Sequence, residues 1–375
     1  MKIAYVHDVI YPHVKGGAEK RVWEVSRRLA DRGHEVHIFG MKFWDGKDIA
    51  ERDGVRLHGI CGPGKLYVGG RRSIGAAIRF STKLLSSFQG NFDVIDAQQF
   101  PYLPCFPAMV HSKLRRAPLV ITWHEVWGDY WREYLGRMGL LGMLVEKGTV
   151  RLPEKIIPVS ERVREDLIGM GVAADRLEVV GNGVDLEQIR SVEANEPIYD
   201  AIYVGRLSSH KRVDLLIEAA SLLKDEIPDI RCRIVGDGPE MPALTRLAEE
   251  LNMGKNVDFV GFLDAEEDVI SMMKSSKIFV FPSMREGFGI SVLEANACGL
   301  PAVVVDAEKS AASSLIKEGV NGLVSEPSAP SIALKMAELL GGDSYKRMSS
   351  SSKDLAKGYG WDEITKKVED VYEGL

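Results

Sequence analysis

Short apolar runs alternate with amphipathic stretches along the chain. The run "KIAYV" has the length and composition of a buried strand, and "AEKRVWEVSRRLADRG" follows it with Val22, Val25 and Leu29 at helical spacing before Gly33. The pattern continues through the further predicted strands "EVHIFG", "FDVIDA", "PLVITWH", "KIIPVS" and "LEVVGN". Strands that alternate with helices are typical of parallel sheets with helices on both faces.

The alternation restarts after a polar segment without periodicity at 191–199, which predicts a linker. Strands are predicted at "DAIYVG", "RCRIVG", "VDFVG", "KIFVFPS" and "PAVVVD", helices near 239–252, 265–274, 290–298 and 310–317, and a last helical stretch at 343–373 with a bend near Gly358 and Gly360. The sequence therefore predicts an α/β fold of two Rossmann-like domains facing each other across a cleft. We place them at residues 1–192 and 198–358, with a helix at about 360–375 returning to the first domain.

Composition and charge narrow the class of protein. The 375 residues are 45% hydrophobic and 27% charged, as in an ordinary globular protein, and no apolar run approaches the roughly 20 residues of a membrane-spanning helix. The first residues do not resemble a signal peptide, and the four scattered cysteines fit a cytoplasmic protein. Residues 1–190 are net basic and the remainder net acidic, which predicts different partners for the two halves.

The segment "PSMREGFGISVLEANACGLP" carries the first candidate site. Glu286 and Glu294 flank Gly287-Phe288-Gly289 where the predicted strand "KIFVFPS" gives way to a helix. Ligands bind at the carboxyl ends of parallel strands, and free amides at a helix start favour an anion. A phosphate could therefore occupy the amides while the glutamates accept hydrogen bonds from sugar hydroxyls.

The segment "YVGRLSSHKRVDLLIEA" carries the second candidate site. Arg206 and Lys211 lie between a strand end and a helix start, where positive charge opposes the helix dipole unless an anion is bound. The two cations are therefore expected to bind a diphosphate. Arg212 could share this role, although adjacent residues point to different faces.

The first domain offers weaker candidates. Gly16 and Gly17 open the first helix, and His124 ends a strand where a neutral imidazole could bind a sugar hydroxyl. Glu125 and Asp129 are candidates for an acceptor's general base. The nearby aromatic residues could be core, a sugar-stacking surface or a membrane-interface patch: Trp123, Trp127, Tyr130, Trp131 and Tyr134.

Two types of cofactor are not expected. The dinucleotide pattern G-x-G-x-x-G is absent after the first strand, which disfavours NAD and FAD. No Asp-x-Asp occurs, and no His, Cys or Asp cluster has metal-ligand spacing. No metal or other cofactor is expected, so fixed cations and amides would have to neutralise phosphate charge.

These motifs resemble those of the retaining glycosyltransferases of family 4, which have the two-domain GT-B fold. The resemblance covers essentially the whole chain and is strongest in "VGRLSSHKRVDLLIEA" and in the E-x7-E segment from Glu286 to Glu294. "KGGAEKRV", "TWHE", "PVSERV" and "GNGVD" fit the family pattern in the expected order. One segment departs from it, because many members have a Gly-Gly-x-x-Glu loop where this chain has Asp306-Ala307-Glu308-Lys309-Ser310.

The resemblance implies roles for individual residues. Arg206, Lys211, Glu286 and His124 would be the catalytic residues, with the two cations on the donor diphosphate and the other two at the transferred sugar. The expected donor-binding residues are Gly16, Gly17, Phe288, Gly289, Ile290 and Glu294, the last accepting hydrogen bonds from the ribose.

The function implied is metal-independent, retaining transfer of a sugar from a nucleotide-diphosphate sugar to a hydroxyl of a glycan, glycolipid or small molecule. The alternatives are a sugar-nucleotide epimerase of similar two-domain shape and a non-catalytic binder of nucleotide sugars. No nucleic-acid partner is expected. The basic, apolar segment "KLYVGGRRSIGAAIRFSTKLL" adds the hypothesis of a peripheral contact with an anionic membrane on its cytoplasmic face, against the simpler interpretation of a solvated amphipathic helix.

Overall fold

The structure is a computed structural model that describes residues 1–68, 71–194, 198–342 and 344–375. It divides the chain into two compact units. Unit 1 comprises Met1–Asn182 and Trp361–Leu375, and unit 2 comprises Gly183–Gly360. The division falls ahead of the linker predicted at 191–199, because the helix at Leu186–Ser191 packs onto helices of unit 2. Part of that predicted linker, 195–197, lies outside the described residues, as does residue 343 at the start of the last predicted helix.

Among the described residues up to Gly169, unit 1 contains fifteen α-helices and β-strands. They are β1 (Lys2–Val6), α1 (Gly17–Asp31), β2 (Glu35–Gly40), β3 (Ile49–Arg52), β4 (Val55–Gly59), β5 (Tyr67–Val68), β6 (Arg71–Arg72), α2 (Ile74–Ser87), β7 (Val94–Gln98), α3 (Cys105–Arg115), β8 (Leu119–Trp123), α4 (Tyr130–Leu135), α5 (Gly139–Thr149), β9 (Lys155–Pro158) and α6 (Glu161–Gly169).

Unit 2 follows with its own series, and the chain ends in a helix of unit 1. The elements are α7 (Leu186–Ser191), β10 (Tyr199–Val204), α8 (Val213–Leu223), β11 (Cys232–Val235), α9 (Met241–Glu250), β12 (Val257–Gly261), α10 (Glu266–Lys274), β13 (Ser276–Phe281), β14 (Arg285–Glu286), α11 (Ile290–Cys298), β15 (Ala302–Val305), β16 (Lys309–Ser310), β17 (Gly322–Ser325), α12 (Ala329–Leu340), α13 (Ser344–Ala356) and α14 (Trp361–Glu373).

Each unit is built on one large sheet. The sheet of unit 1 has the order β3-β4-β2-β1-β7-β8-β9 and is parallel except for the edge strand β3. The sheet of unit 2 has the order β12-β11-β10-β13-β15-β17 and is parallel throughout. The central strands are buried apolar runs, as expected for strands covered on both faces. This confirms the predicted α/β class with a Rossmann-like sheet in each unit.

Two predicted elements are wrong. The run "LEVVGN" forms only an isolated bridge between Leu177 and Ile156, and 310–317 contains a short 3₁₀ turn at Ala312–Leu315 instead of an α-helix. Both segments are short apolar runs, which strand and helix patterns describe equally well. No helix in the described ranges is both long and apolar enough to cross a membrane.

The C-terminal helix is part of the core of unit 1. Trp361, Ile364, Val368 and Tyr372 are buried at helical spacing on α14, which packs against α1. The carboxylate of Glu369 forms an ion pair with Arg32 and lies within hydrogen-bond distance of the His34 ring, both near the end of α1 and each at 2.6 Å.

Candidate active site

Two loops of unit 2 meet at the carboxyl ends of neighbouring strands. The first follows β10 and contains Arg206 and a 3₁₀ turn, Ser209–Lys211, directly before α8. The second follows β13 and leads into α11. The amide of Met284 in the second loop donates to the carbonyl of His210 in the first at 2.9 Å, so the backbones of the two loops are tied together.

Lys211 and Glu286 form an ion pair in which the Lys211 ammonium donates to Oε1 of Glu286. Each side chain is only about one-sixth exposed, at 16% and 15%, and the Lys211 Nζ lies 5.4 Å from the centre of the Phe281 ring. Two residues predicted separately, one for the diphosphate and one for the sugar, are therefore in direct contact. Arg206 is exposed on the same loop, and its carbonyl accepts from the Tyr203 hydroxyl at 3.2 Å.

The start of α11 depends on a glycine. Gly289 has φ +99°, a conformation that L side chains rarely adopt, and a Cβ there would lie 3.1 Å from the Cβ of Ala312. The helix begins at Ile290, and Glu294 lies one turn later and is partly buried. The Phe288 side chain is buried and packs edge-on to Tyr359 at 6.5 Å between ring centres, which leaves its backbone as the part that could contact a ligand.

The segment that departs from the family pattern supports this loop by backbone pairing. Lys309 and Ser310 form the short strand β16, which pairs with Arg285 and Glu286 of β14. The carbonyl of Glu286 accepts from the amide of Ala311 at 2.8 Å. The glutamate is thus held by a strand pair.

Several cations make this end of unit 2 electropositive. The pKa of His210 is lowered to about 4, first by burial and then by the positive charges of Lys211, Arg285 and Arg206. The imidazole is therefore neutral near pH 7, and the cations that add to the effect of burial are the groups that would attract an anion. Arg212 is paired differently, because its guanidinium binds Asp214 at 2.8 Å.

A third loop of unit 2 packs tightly on the first. The amide of Leu207 donates to the carbonyl of Asp237 at 3.0 Å, and the amide of Glu240 donates back to the carbonyl of Leu207 at 3.1 Å. A Cβ on Gly236 or Gly238 would overlap the carbonyls of Gly205 and Leu207 respectively. The sequence "IVGDGPE" resembles that of a simple turn. Its two glycines are nevertheless required, because the backbones of the two loops approach too closely to leave space for a Cβ.

In unit 1, the remaining predicted residues lie at one edge of the sheet, because β1, β7 and β8 are parallel neighbours. Gly16 is extended and caps α1 without a side-chain acceptor, and Gly17 is the first residue of the helix. His124 directly follows β8 and is half-buried. Its Nε2 lies 2.8 Å from Oε1 of Gln98, and its backbone amide donates to Oε1 of Gln99 at 2.9 Å.

His124 is uncharged at neutral pH. Burial lowers its pKa well below the ordinary value, and the charges of Arg21 and His7 lower it further. A neutral imidazole offers one donor and one acceptor, so this residue can bind a sugar hydroxyl. Because the ring carries no positive charge, it does not attract the donor phosphate.

Two of the five aromatic residues at and after the end of β8 belong to the core, and the other three are partly exposed. Trp123 and Trp131 are buried, and the indole of Trp131 donates to the buried carboxylate of Glu146 at 3.1 Å. The same carboxylate accepts from the backbone amides of Trp127 and Gly128 at 2.8 and 2.9 Å. Glu146 therefore organises this loop, and a lone acid in the apolar sequence "GLLGMLVEKGT" was the only signal for it. Asp129 is exposed beside Arg132.

A polar cluster after β1 was not predicted. Asp8 pairs with Arg72, and the Nε2 of His7 lies 3.7 Å from Glu19 in the first turn of α1. Burial raises the pKa of Asp8, and the charge of Arg72 opposes this shift. The signal was available as the pair His7-Asp8 immediately after a strand. Within the described parts of the chain, no group of three or more His, Cys, Asp or Glu side chains could hold a metal ion.

Comparisons with known proteins identify the family of the chain. The family model for Glycosyltransferase Family 4 matches residues 15–188, and that for Glycosyl transferases group 1 matches residues 185–354. Together the two models span most of both units. The chain belongs to glycosyltransferase family 4 and has the GT-B fold.

Relatives and solved structures extend over the whole length. An uncharacterized glycosyltransferase of Methanocaldococcus jannaschii is 24% identical over 403 residues, covering 100% of this chain and 98% of the relative. Sucrose-phosphate synthase from Thermosynechococcus elongatus aligns with a TM-score of 0.83 and 20% identity over 100% of this chain and 98% of that one. HepE of Anabaena, in complex with UDP-glucose, aligns with a TM-score of 0.78 and 21% identity over 100% of both chains.

Proposed function

We propose that this glycosyltransferase transfers a sugar from a nucleotide-diphosphate sugar to a hydroxyl acceptor with retention at the anomeric carbon and without a metal ion. The observation that carries the proposal is the contact between Lys211 and Glu286, 75 residues apart in sequence, in the loops that precede α8 and α11. A cation for the diphosphate and an acid for the sugar thus lie together at the carboxyl ends of two neighbouring strands, where ligands bind in parallel sheets. The complex of HepE with UDP-glucose supports a nucleotide-sugar donor.

The proposed chemistry is a displacement at one face of the sugar. As the bond from the anomeric carbon to the phosphate oxygen breaks, Arg206, Lys211 and the first amides of α11 stabilise the charge on the departing diphosphate. The acceptor oxygen forms its bond on the same face, and its proton passes to that phosphate. Glu286 binds sugar hydroxyls, because a carboxylate already engaged by Lys211 is a weak nucleophile. No covalent sugar–enzyme intermediate is formed.

The donor is identified by a thermal-shift screen of UDP, GDP and ADP sugars, followed by incubation with the labelled donor that stabilises the protein most. Transfer of label to an acceptor, or slow hydrolysis with the α configuration retained, supports the proposal. Release of an isomerised sugar would instead support the epimerase alternative, which the relatives and structures described above do not favour. Absence of any turnover with every donor that binds would indicate a non-catalytic binder.

A lipid-linked acceptor is supported by a surface of unit 1. Leu140 and Leu144 on α5 are 55% and 65% exposed one helical turn apart. On α2, exposed Ile74 and Ile78 accompany Lys83, and that helix has no acidic residue. The two helices border one apolar cavity of about 200 Å³. We infer a peripheral contact with an anionic bilayer through this surface.

In a pelleting assay, the variant L140E/L144E should therefore bind vesicles of anionic phospholipid at least about 30-fold more weakly at low salt. Burial of two leucines in the interface is worth roughly 2 kcal/mol or more, and glutamate adds repulsion from the lipid charge. The matched control is L222E/L334E, which changes exposed leucines of unit 2 that are 54% and 68% accessible. Equal pelleting of both variants, or no pelleting of the unchanged protein, contradicts the membrane contact.

A further inference from the structure

A buried carboxylate, that of Asp96, is connected to His124 through the side chain of Gln98. Asp96 on β7 is 1% exposed and accepts from Nε2 of Gln98 at 3.0 Å and from the Thr122 hydroxyl at 3.0 and 3.1 Å. The hydroxyl of Tyr372, on the C-terminal helix, lies 2.6 Å from its other oxygen. Each of these groups can donate a hydrogen bond, and an ionised carboxylate only accepts. The surroundings of Asp96 are therefore those of an ionised carboxylate. Burial raises its pKa to about 6, and the hydrogen bonds of Tyr372 and Thr122 oppose the rise.

The carboxylate fixes the orientation of the Gln98 amide. An ionised Asp96 can only accept, so the amide nitrogen of Gln98 must face it. A flipped amide would set two acceptors against each other in a place where Gln98 is 2% exposed and water cannot intervene freely. The amide oxygen of Gln98 therefore faces the ring of His124, at 2.8 Å from Nε2.

The orientation of Gln98 in turn fixes the proton on His124. The amide oxygen can only accept, so Nε2 of His124 must carry the hydrogen. Since the ring is neutral, Nδ1 carries a lone pair, and among the described residues no hydrogen bond to Nδ1 is present. We propose that Gln98, oriented by Asp96, holds His124 as the Nε2-protonated tautomer so that Nδ1 accepts a hydrogen bond from a hydroxyl of the bound sugar nucleotide.

The proposal rests on the proposed function only for the identity of the ligand. It makes Gln98 and Asp96 positioning residues, and it gives the C-terminal helix a role in the site. The Tyr372 hydroxyl donates to Asp96 and lies 2.9 Å from the hydroxyl of Tyr5, which is left to donate to Tyr372. Loss of the Tyr372 hydroxyl removes one donor from Asp96 without touching Gln98 or His124.

The tautomer is read directly by ¹⁵N NMR of the full chain labelled in histidine, with the His124 signals assigned from their loss in H124N. We expect a protonated Nε2 and an unprotonated Nδ1 in the unliganded protein at pH 7.5. Q98M should give a mixture of tautomers with at least about a third of the other form, because methionine keeps the volume but accepts no strong hydrogen bond. Y372F should shift the Nε2 signal without changing the tautomer.

The matched control is Q99M, which removes the bond to the backbone amide of His124 but none to its ring, and should leave the tautomer unchanged. A protonated Nδ1 in the unchanged protein overturns the proposal without any variant, so a failure of Q98M to fold cannot shelter it. Addition of the sugar nucleotide that stabilises the chain most should move the Nδ1 signal. A nucleotide that binds and leaves Nδ1 unmoved contradicts the substrate contact, whereas the lack of any binding nucleotide contradicts the proposed function and leaves the tautomer result standing.

Discussion

Replacement of Lys211 by alanine should lower the rate of sugar transfer by on the order of 100-fold or more. Removal of one preorganised charge-stabilising group from an enclosed site costs roughly 3 kcal/mol in the barrier, which is a little over 100-fold in rate. The variant also leaves the carboxylate of Glu286, which is 15% exposed, without the ammonium that neutralises it. A repelled donor phosphate would add to the loss, so kcat and the apparent affinity for donor should both fall.

The neighbouring residue provides the control. R212A removes a cation of similar reach that is 39% exposed and already bound to Asp214, and transfer should stay near normal. The double variant K211A/E286Q separates the two contributions, since glutamine removes the uncompensated charge. If K211A turns over at nearly the normal rate while remaining folded, Lys211 does not stabilise the leaving diphosphate, and the assignment of the donor site is wrong.

The fold could be predicted because its information is local. Buried parallel strands are continuous apolar runs, and helices such as α1 keep their apolar positions three and four residues apart, so each repeat is visible by itself. The predicted elements were wrong where the local pattern does not determine the secondary structure. "LEVVGN" is as apolar and β-branched as a strand, and it lies beside β9, where the amides of Glu178 and Val180 donate to the carbonyls of Ile156 and Pro158 at 3.1 Å, but this pairing amounts to one isolated bridge and not to a regular strand.

The candidate site, too, could be predicted from the sequence only in part. The segments that contain Lys211 and Glu286 were visible because each is a short motif at a strand end, although their direct contact was not. The arrangement around Asp96 could not be read, because it joins β7 to Tyr372 across 276 residues. A polar residue inside a buried strand was the available signal, and it says that a partner exists without saying which. The roles assigned to all of the predicted site residues remain predictions: Arg206, Lys211, Glu286, His124, Gly16, Gly17, Phe288, Gly289, Ile290 and Glu294.

The second large effect is expected at Gly236, where an alanine should cost on the order of 3 kcal/mol of unfolding free energy in unit 2 through overpacking and backbone strain. Its φ of +134° disfavours any side chain, and the added Cβ would overlap the carbonyl oxygen of Gly205 and lie 2.9 Å from its carbon. Relief would require the backbone of Gly205 to move, and Arg206 with it. The hydrogen bonds from Gly205 to Val235, 3.0 Å, and from Gly236 to Gly261, 2.8 Å, would weaken as well.

Substitutions at three other glycines of unit 2 separate the effect of steric overlap from the effect of a positive φ. Gly238 has the overlap, with the carbonyl of Leu207, but no positive φ; Gly319 has φ +71° and open space; Gly254 has open space and no positive φ. By chemical denaturation, G254A should stay within about 0.5 kcal/mol of the unchanged protein and G319A should lose about 1 kcal/mol. G238A and G236A should lose more, and G236A should also lose the stabilisation that a sugar nucleotide gives. Equal stability of G236A and G254A would show that the two loops are not packed as closely as their hydrogen bonds require, and the position of Arg206 would then have no rigid support.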